Sequence, residues 1–202
     1  MTQPERHPFE PFTPATARVL FLGTFPPQPH RRKMEFYYPN WINDFWRVMG
    51  LTFYGDAQRF CDTEHRQFRL DDIKEFLTAR GIALYDTAEA VVRLRDNASD
   101  AFLKIVEPTD IDRLAKLMPQ LRAIATTGTL AAEQVATATA TSVPAIGRYE
   151  EITLNGRTLQ HWRLPSTSRA YPLPLDRKAE AYARMLSCVG FEIAENYRFT
   201  DK

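Results

Sequence analysis

Cysteine, histidine and long apolar runs are scarce in this sequence, and each shortage excludes a class of protein. The 202 residues include two cysteines, Cys61 and Cys188, too few for a disulfide framework, a four-thiolate zinc site or a cysteine-held iron–sulfur cluster. We interpret both as reduced thiols. No apolar run approaches the roughly 20 residues of a membrane span, and the proline-rich, charged segment 1–18 lacks the apolar core of a signal peptide. We therefore expect a cytoplasmic protein that does not enter a membrane.

Several motifs of catalysis and cofactor binding are also missing. The four histidines, His7, His30, His65 and His161, show no metal-ligand spacing such as H-E-x-x-H, and no G-x-S-x-G marks an acyl-transfer serine. The loop after the first apolar segment has neither the Gly-Lys-Ser ending of a phosphate-binding loop nor the G-x-G-x-x-G of a dinucleotide site. The sequence thus predicts neither a metal nor an organic cofactor.

Charge of one sign is not in excess either. Lysine and arginine total 26 against 25 aspartates and glutamates, a net charge of +1, so any contact with nucleic acid must use local patches. The length and the hydrophobic share of 44% favour one domain over residues 1–202. Within it we expect an extended N-terminal lead over 1–17 and a C-terminal tail over 190–202.

What the sequence does contain is an alternation of buried strands and helices. Short apolar segments, each stopped by Gly, Asp or Thr, lie at residues 18–23, 82–86 and 121–125 and are typical of strands buried on both faces. Apolar periodicity and caps predict helices at about 44–49, 71–80, 110–118, 130–137 and 176–189. Asn155-Gly156 predicts a hairpin between 149–154 and 157–164. This order predicts an α/β fold with a four-stranded, mostly parallel sheet.

Ligands of such sheets bind beyond the carboxyl ends of the strands. We therefore expect segments 23–27, 86–87, 127–128 and 164–168 to surround one cleft.

Two loops beside this cleft carry features of a nucleic-acid site. Segment 164–171 offers three hydroxyls, an arginine and a tyrosine, and segment 30–38 joins basic to aromatic residues, which suits phosphate contacts and base stacking. From Arg157 to Lys178 five basic residues stand against Asp176, a local charge of +4. The predicted DNA-binding residues are Arg31, Arg32, Lys33, Ser166, Thr167, Ser168, Arg169 and Tyr171. A plain turn with solvated charges is the alternative.

The order of motifs in this chain resembles the uracil-DNA glycosylase superfamily. The motifs are Gly23-Thr-Phe-Pro-Pro27, Phe36-Tyr-Tyr-Pro39, Asn43-Asp-Phe-Trp46, Gly81-Ile-Ala-Leu-Tyr-Asp86 and Leu164-Pro-Ser-Thr-Ser168. The resemblance extends over about residues 18–188 and is nearest to the mismatch-specific uracil and the hypoxanthine-DNA glycosylases. It implies a three-layer α/β/α sandwich and metal-independent hydrolysis of the bond between a damaged base and deoxyribose, a step of base excision repair.

The resemblance also assigns roles to residues. In the first loop Gly23, Thr24 and Phe25 contact the base, although Phe25 stands where relatives have a polar Asn or Asp. Asn43 supplies the amide that positions the attacking water, Tyr38 stacks on the extruded base, and Asp86 reads its edge. The predicted catalytic residues are Asn43 and Asp86. Segment 164–168 grips the DNA backbone, with Leu164 where some branches have a catalytic His.

Each catalytic role has a structural alternative. Asn is a preferred helix cap, so Asn43 could serve only the helix that follows it. Asp86 could cap segment 87–92 and never touch a base. If Asp86 reads a base while ionised, it only accepts hydrogen bonds and favours the N1–H of hypoxanthine or xanthine; if burial keeps it protonated, uracil becomes readable.

The predicted function is that of a monofunctional DNA glycosylase that flips a deaminated base, uracil or hypoxanthine, out of damaged or mismatched DNA. It needs no cofactor, acts as a monomer and makes no membrane contact. One alternative is a non-catalytic nucleic-acid-binding protein of the same fold, because Phe25 and Leu164 replace polar groups. The other is a hydrolase of small nucleosides or nucleotides, which the basic segment 31–33 disfavours.

Overall fold

The computed structural model describes residues 3–94 and 102–197. The strands in these residues are β1 (Glu5–Arg6), β2 (Val19–Gly23), β3 (Cys61–Asp62), β4 (Gln67–Phe68), β5 (Ile82–Asp86), β6 (Ala88–Arg93), β7 (Leu103–Pro108), β8 (Ala123–Thr126), β9 (Arg148–Leu154) and β10 (Arg157–Arg163). The α-helices are α1 (Phe45–Tyr54), α2 (Leu70–Arg80), α3 (Ile111–Lys116), α4 (Thr129–Thr139) and α5 (Leu175–Cys188), with single 3-10 turns at Pro29–Arg31 and Glu195–Tyr197. No helix among the described residues is long and apolar enough to cross a membrane.

Five strands form the central sheet, in the order β5-β2-β8-β10-β9. The first four run parallel, and β9 pairs antiparallel with β10. The mixed α/β class and the mostly parallel sheet are confirmed, but the predicted count of four strands is wrong because the first arm of the hairpin also joins the sheet. Asn155 and Gly156 both have positive φ, 52° and 70°, as a two-residue hairpin turn of type I′ requires.

The middle strands are buried on both faces. Successive side chains of a strand point to opposite faces, and every residue of β5 and β8 is buried, as are the first four of β2. Phe21 of β2 contacts Phe45 of α1 edge-to-face at 5.5 Å between ring centroids and stacks on Tyr182 of α5 at 6.0 Å. Helices α1 and α5 therefore pack together against β2 and fix where the segment before α1 lies.

Helix α1 differs most from its predicted bounds. It continues through Gly50 and ends at Tyr54, where Gly55 takes the left-handed conformation and its N–H donates to the carbonyls of Gly50 and Leu51. A side chain at position 50 would collide with the backbone carbonyl of Asp56. Gly50 thus serves close packing inside the helix, not its termination. In α2, Asp71 lies within the first turn, and in α3 Asp110 is the N-cap, whose side chain accepts from the Arg113 N–H.

A second sheet, which the sequence did not predict, has the order β1-β6-β7. Its outer strand β1 belongs to the N-terminal lead, with Glu5 opposite Val91. Farther along the lead, the backbone of Phe12 exchanges hydrogen bonds with that of Leu84 in β5. The lead is therefore built into both sheets.

Candidate active site

The carboxyl ends of three parallel strands meet at one point. Gly23 is the register partner of Asp86 in the β2–β5 pair. Beside them, the Tyr38 Oη lies 3.0 Å from Thr127 Oγ1 at the end of β8, and the Thr127 N–H donates to the Leu22 carbonyl. The structure therefore brings together the strand ends that were expected to surround a cleft.

Asp86 is held by a histidine from the N-terminal lead. The His7 Nε2 lies 2.9 Å from Asp86 Oδ2, and both side chains are largely buried, 2% and 10% exposed. In this contact the His7 Nε2–H donates and the carboxylate oxygen accepts. The His7 Nδ1 lies within hydrogen-bond distance of both the carbonyl and the N–H of Phe9. The alternative in which Asp86 caps segment 87–92 is wrong, because that segment is strand β6 and the carboxylate binds His7.

Aromatic rings enclose this imidazole–carboxylate pair. The His7 ring lies 4.8 Å from Tyr85 and 5.4 Å from Phe25, centroid to centroid. Burial, and next the negative charge of Asp86, raise the pKa of Tyr37, while burial and the hydrogen bond to Glu89 raise the pKa of Tyr85. Both phenols stay protonated and donate elsewhere, to the Glu10 carbonyl and to Glu89. Of these three side chains, His7 is therefore the one that hydrogen-bonds the Asp86 carboxylate.

Glycine at position 23 leaves the space that Asp86 occupies. A Cβ at this position would overlap Asp86 Oδ1 and would lie 3.7 Å from the Tyr38 hydroxyl. The free carboxylate oxygen and the Tyr38 hydroxyl thus both face the backbone of Gly23. Thr24, next in the loop, is buried.

Tyr38 has an unusual backbone and a fixed ring. Its φ is +50°, a conformation rare for a bulky residue. Its ring stacks on Phe45 at 3.7 Å between centroids and 7° between planes. The left-handed backbone therefore places the phenol against α1 with its hydroxyl toward Gly23, so that one ring face is covered by Phe45.

Asn43 lies two residues before α1, whose N-cap position is held by Asp44 without a side-chain bond. The Asn43 Oδ1 accepts a hydrogen bond of 2.9 Å from the Phe45 N–H, which gives Asn43 a capping role, and its own N–H donates to the Asn40 carbonyl. This bond engages one lone pair of Oδ1, which leaves the other lone pair and the amide nitrogen as the groups that could reach a ligand.

The neighbouring residue ties Asn43 to the hydroxyl-rich loop. The Asp44 N–H donates to the Thr167 carbonyl, and Asp44 Oδ2 lies 2.8 Å from Lys178 Nζ, whose side chain is 1% exposed. Lys178 also donates to the Ser168 carbonyl. A buried ion pair thus joins the start of α1, segment 164–168 and α5.

Segment 164–171 folds into short side-chain-to-backbone turns. Ser166 Oγ accepts from the Ser168 N–H, and Ser168 Oγ accepts from the Ala170 N–H. Thr167 is buried, whereas Ser168 and Arg169 are exposed and Tyr171 is half-buried. The exposed tip therefore presents Ser168 and Arg169 to a partner, and Leu164, 1% exposed, lies below the surface.

The predicted local charge of +4 is not a single surface patch. Arg157 donates to carbonyls at the end of α3, Arg163 to Thr129 and Pro144, and Arg177 to Glu180. Lys178 is buried. Of the five basic side chains, Arg169 alone sits at the exposed tip of the loop.

The three basic residues of segment 31–33 do not form a single surface patch either. Arg32, 7% exposed, donates to the Pro27 carbonyl and lies over the Phe9 ring, so its charge is committed inside the protein. Arg31 and Lys33 line a separate cavity of about 470 Å³. Phe25 packs with Ala88 and Val91 of β6, so its ring contacts the second sheet.

A further cavity, of about 390 Å³, lies at the opposite end of the sheet between Arg122, Gln160 and Cys188. It is remote from the strand ends described above. Two residues of the candidate site were not predicted to act there: His7, which stands in a segment without apolar periodicity, and Lys178, which reads as an ordinary surface charge. Neither carries a local signal, because both depend on tertiary contacts with Asp86 and Asp44.

Comparison with known proteins supports the fold. No protein-family profile and no curated protein matches the chain. Among solved structures, it is similar to the solution NMR structure of a "putative Uracil DNA glycosylase" from Methanosarcina acetivorans, with a TM-score of 0.58 and 24% identity over 90% of this chain and 98% of that chain. This likeness establishes a shared α/β fold.

Proposed function

We propose that this protein is a DNA glycosylase of the uracil-DNA glycosylase superfamily, which hydrolyses the N-glycosidic bond of a deaminated base. The observation that carries the proposal is the convergence of Asp86, Gly23 and Tyr38 at the carboxyl ends of the strands, on a fold shared with a protein described as such an enzyme. The order of motifs along the chain agrees with it. A three-layer arrangement, a single monomeric domain and a cytoplasmic location belong to the same proposal.

The chemistry requires a base outside the duplex, because an enzyme cannot reach the bond within the stack. The extruded base would stack on the face of Tyr38 opposite Phe45 and present its edge to Asp86. Asn43 would hold a water molecule for attack on C1′ of the sugar. The water oxygen bonds to C1′, the bond from C1′ to the base breaks with its electron pair on the base, and the base takes up a proton.

Backbone N–H groups of the loop that begins at Gly23 would stabilise the negative charge that develops on the leaving base. Cleavage of the DNA strand by an amine would need a free lysine in the site. Lys178 is tied to Asp44 and the Ser168 carbonyl, which supports a monofunctional enzyme that uses water alone.

His7 limits which part of a base Asp86 can read. The His7 Nε2 lies 2.9 Å from Asp86 Oδ2, so the other carboxylate oxygen is the one that could accept a hydrogen bond from a base. The N1–H of hypoxanthine or xanthine and the N3–H of uracil each supply such a donor, and backbone N–H groups would meet the neighbouring carbonyl. We therefore propose a deaminated base, uracil or hypoxanthine, that presents its ring N–H to Asp86.

A non-catalytic DNA-binding protein of this fold is the second candidate. Phe25 is packed into the small apolar cluster with Ala88 and Val91, and Leu164 is buried, so neither position offers a polar group for catalysis.

The decisive experiment incubates the protein with labelled oligonucleotides that carry uracil, hypoxanthine or xanthine, followed by alkali. Cleavage at uracil or hypoxanthine supports the proposal, and binding without cleavage selects the second candidate. Asp86→Asn, prepared in the same way, provides the control: an amide can donate as well as accept, so the ratio of the two activities changes if Asp86 reads the base. An unchanged ratio would remove Asp86 from base reading.

A further inference from the structure

The cavity beside Asn43 combines positive charge with an aromatic ring. It has a volume of about 470 Å³ and is lined by Arg31, Lys33, Asn40, Trp41, His65 and Arg66, a set that we name the hairpin groove. One wall is the segment that leads directly into Asn43, and the other is the β3–β4 hairpin. The groove therefore adjoins the candidate active site along the chain.

The charges of the hairpin groove are available to a ligand. Among the described residues, no carboxylate lies within ion-pair distance of Arg31, Lys33 or Arg66, whereas Asp62 binds His65 at 2.8 Å. The Nε of Arg31 is buried without a hydrogen-bond partner in the described part of the chain. The contrast with Arg32, which the protein itself binds, indicates a site built for an external anion.

Trp41 forms a rigid platform at this groove. The Arg47 guanidinium lies 4.4 Å from the centre of its ring system on one side, and Phe68 packs against it at 5.1 Å. Arg47 is in turn fixed by the carbonyls of Trp41 and Asn43. A fixed indole next to unpaired cations is the combination that binds single-stranded nucleic acid, where bases stack and phosphates meet charges.

The hairpin tip holds Arg66 toward the groove at a conformational cost. Arg66 has φ +52°, a left-handed conformation that disfavours residues with a side chain. Asp62 accepts hydrogen bonds from the His65 N–H and from Gln67, which fixes the turn.

We propose that the hairpin groove binds single-stranded DNA, with phosphates against Arg31, Lys33 and Arg66 and one base stacked on Trp41. The inference deepens the proposed function, because the occupant would be the unpaired strand that flanks the extruded nucleotide. It assigns to the enzyme a preference for DNA that is single-stranded beside the damaged base.

The test measures binding of a labelled, undamaged oligothymidylate of about a dozen nucleotides, within the range of single-strand sites, by fluorescence anisotropy over a series of salt concentrations. Arg66→Gly removes the charge at a backbone conformation that glycine adopts freely, and we expect weaker binding with a salt slope reduced by about 0.7. Arg66→Lys should restore the slope. Trp41→Leu should weaken binding about fivefold to a hundredfold, the range for loss of one stacked base, without a change of slope.

Lys116→Ala is the matched control, because Lys116 is exposed at the end of α3, near the start of β10 and away from the groove. It should leave binding unchanged. Thermal unfolding of each variant verifies that it is folded. Parental binding by both Arg66→Gly and Trp41→Leu would overturn the proposal, as would equal or tighter binding of the matched duplex.

The assay contains no damaged base, so its outcome is separate from that of the excision assay. Loss of oligothymidylate binding in the variants of a protein that excises nothing would support the groove and reject the glycosylase. Excision by a protein whose groove variants bind oligothymidylate normally would support the glycosylase and reject the groove.

Discussion

His7 and Asp86 join the N-terminal lead to the central sheet: the His7 imidazole donates to a carboxylate 79 positions later, at the end of β5, over 2.9 Å. The contact fixes one carboxylate oxygen and leaves the other beside Gly23. It also gives a buried carboxyl group a hydrogen-bond partner, and such a group is costly to leave without one.

Replacement of His7 should therefore lower excision. His7→Phe keeps an aromatic ring among its neighbours but removes the nitrogen that bonds Asp86 Oδ2, so the carboxylate is no longer held in place beside Gly23. We expect excision to fall at least tenfold, about the effect of 1.4 kcal/mol on the transition state. Initial rates on oligonucleotides that carry uracil or hypoxanthine measure the loss. His30→Phe, at an exposed histidine, is the control, and parental rates in His7→Phe would show that the contact does not serve excision.

The two roles proposed for Asn43, as a helix cap and as a catalytic amide, should be separable by substitution. Asn43→Ala removes both, and we expect a loss of turnover of about a hundredfold with nearly unchanged DNA affinity, the pattern of a group that acts in the transition state, together with about 1 kcal/mol of stability. Asn43→Ser preserves the hydrogen bond to the Phe45 N–H but lacks the amide. Single-turnover kinetics and urea unfolding distinguish the two functions. Full activity of Asn43→Ser would leave only the cap.

The ion pair between Asp44 and Lys178 should behave as a unit. Lys178→Met leaves a partly buried carboxylate without its partner, which costs about 3 kcal/mol of unfolding free energy. With Asp44→Asn added, no unpaired charge remains, and we expect the double variant to recover at least 1 kcal/mol relative to Lys178→Met. Urea unfolding of the two single variants and the double variant gives the coupling energy. Strictly additive losses would show that the pair contributes no more than two independent side chains.

Arg169 should contribute uniformly to DNA binding. It sits at the exposed tip of the 164–171 segment, so Arg169→Ala should weaken binding to all sequences alike and lower the salt slope by about one phosphate contact. Anisotropy titrations on two unrelated duplexes at several salt concentrations test this. Arg177→Ala, which removes an exposed arginine already paired with Glu180, is the control. The same slope in the parent and in Arg169→Ala would place Arg169 outside the interface.

The site's framework is predictable from the sequence because strand ends carry local signals. Gly23 and Asp86 each close a short apolar run, and parallel strands bring such ends to the same edge. The hairpin is equally local, since Asn155-Gly156 fits only a few turn geometries.

The remaining features depend on contacts between distant segments. The lead has no apolar periodicity, and its place is set by pairing of Glu5 with Val91 and of Phe12 with Leu84. Likewise Gly50 resembles a helix terminator until the Asp56 backbone that packs on it is known. Lys178 reads as surface charge because its partner Asp44 is 134 positions away.

His161 should make the protein's stability depend on pH. Its side chain is fully buried on β10, its Nε2–H donates to Thr126 Oγ1 at 3.2 Å, and burial lowers its pKa from 6.5 to about 4. The unfolded chain therefore binds a proton at a pH where the folded protein does not. The contribution of His161 to the unfolding free energy should therefore fall by about 3 kcal/mol as the pH drops from about 6.5 to about 4. His161→Gln keeps a donor for Thr126 and removes the titration, so its unfolding free energy should vary less between pH 7 and pH 4.5, by about 2 kcal/mol. Urea unfolding at both pH values measures the difference, with His30→Gln as the exposed control. An equal pH dependence in the parent and in His161→Gln would show that the buried imidazole does not control acid stability.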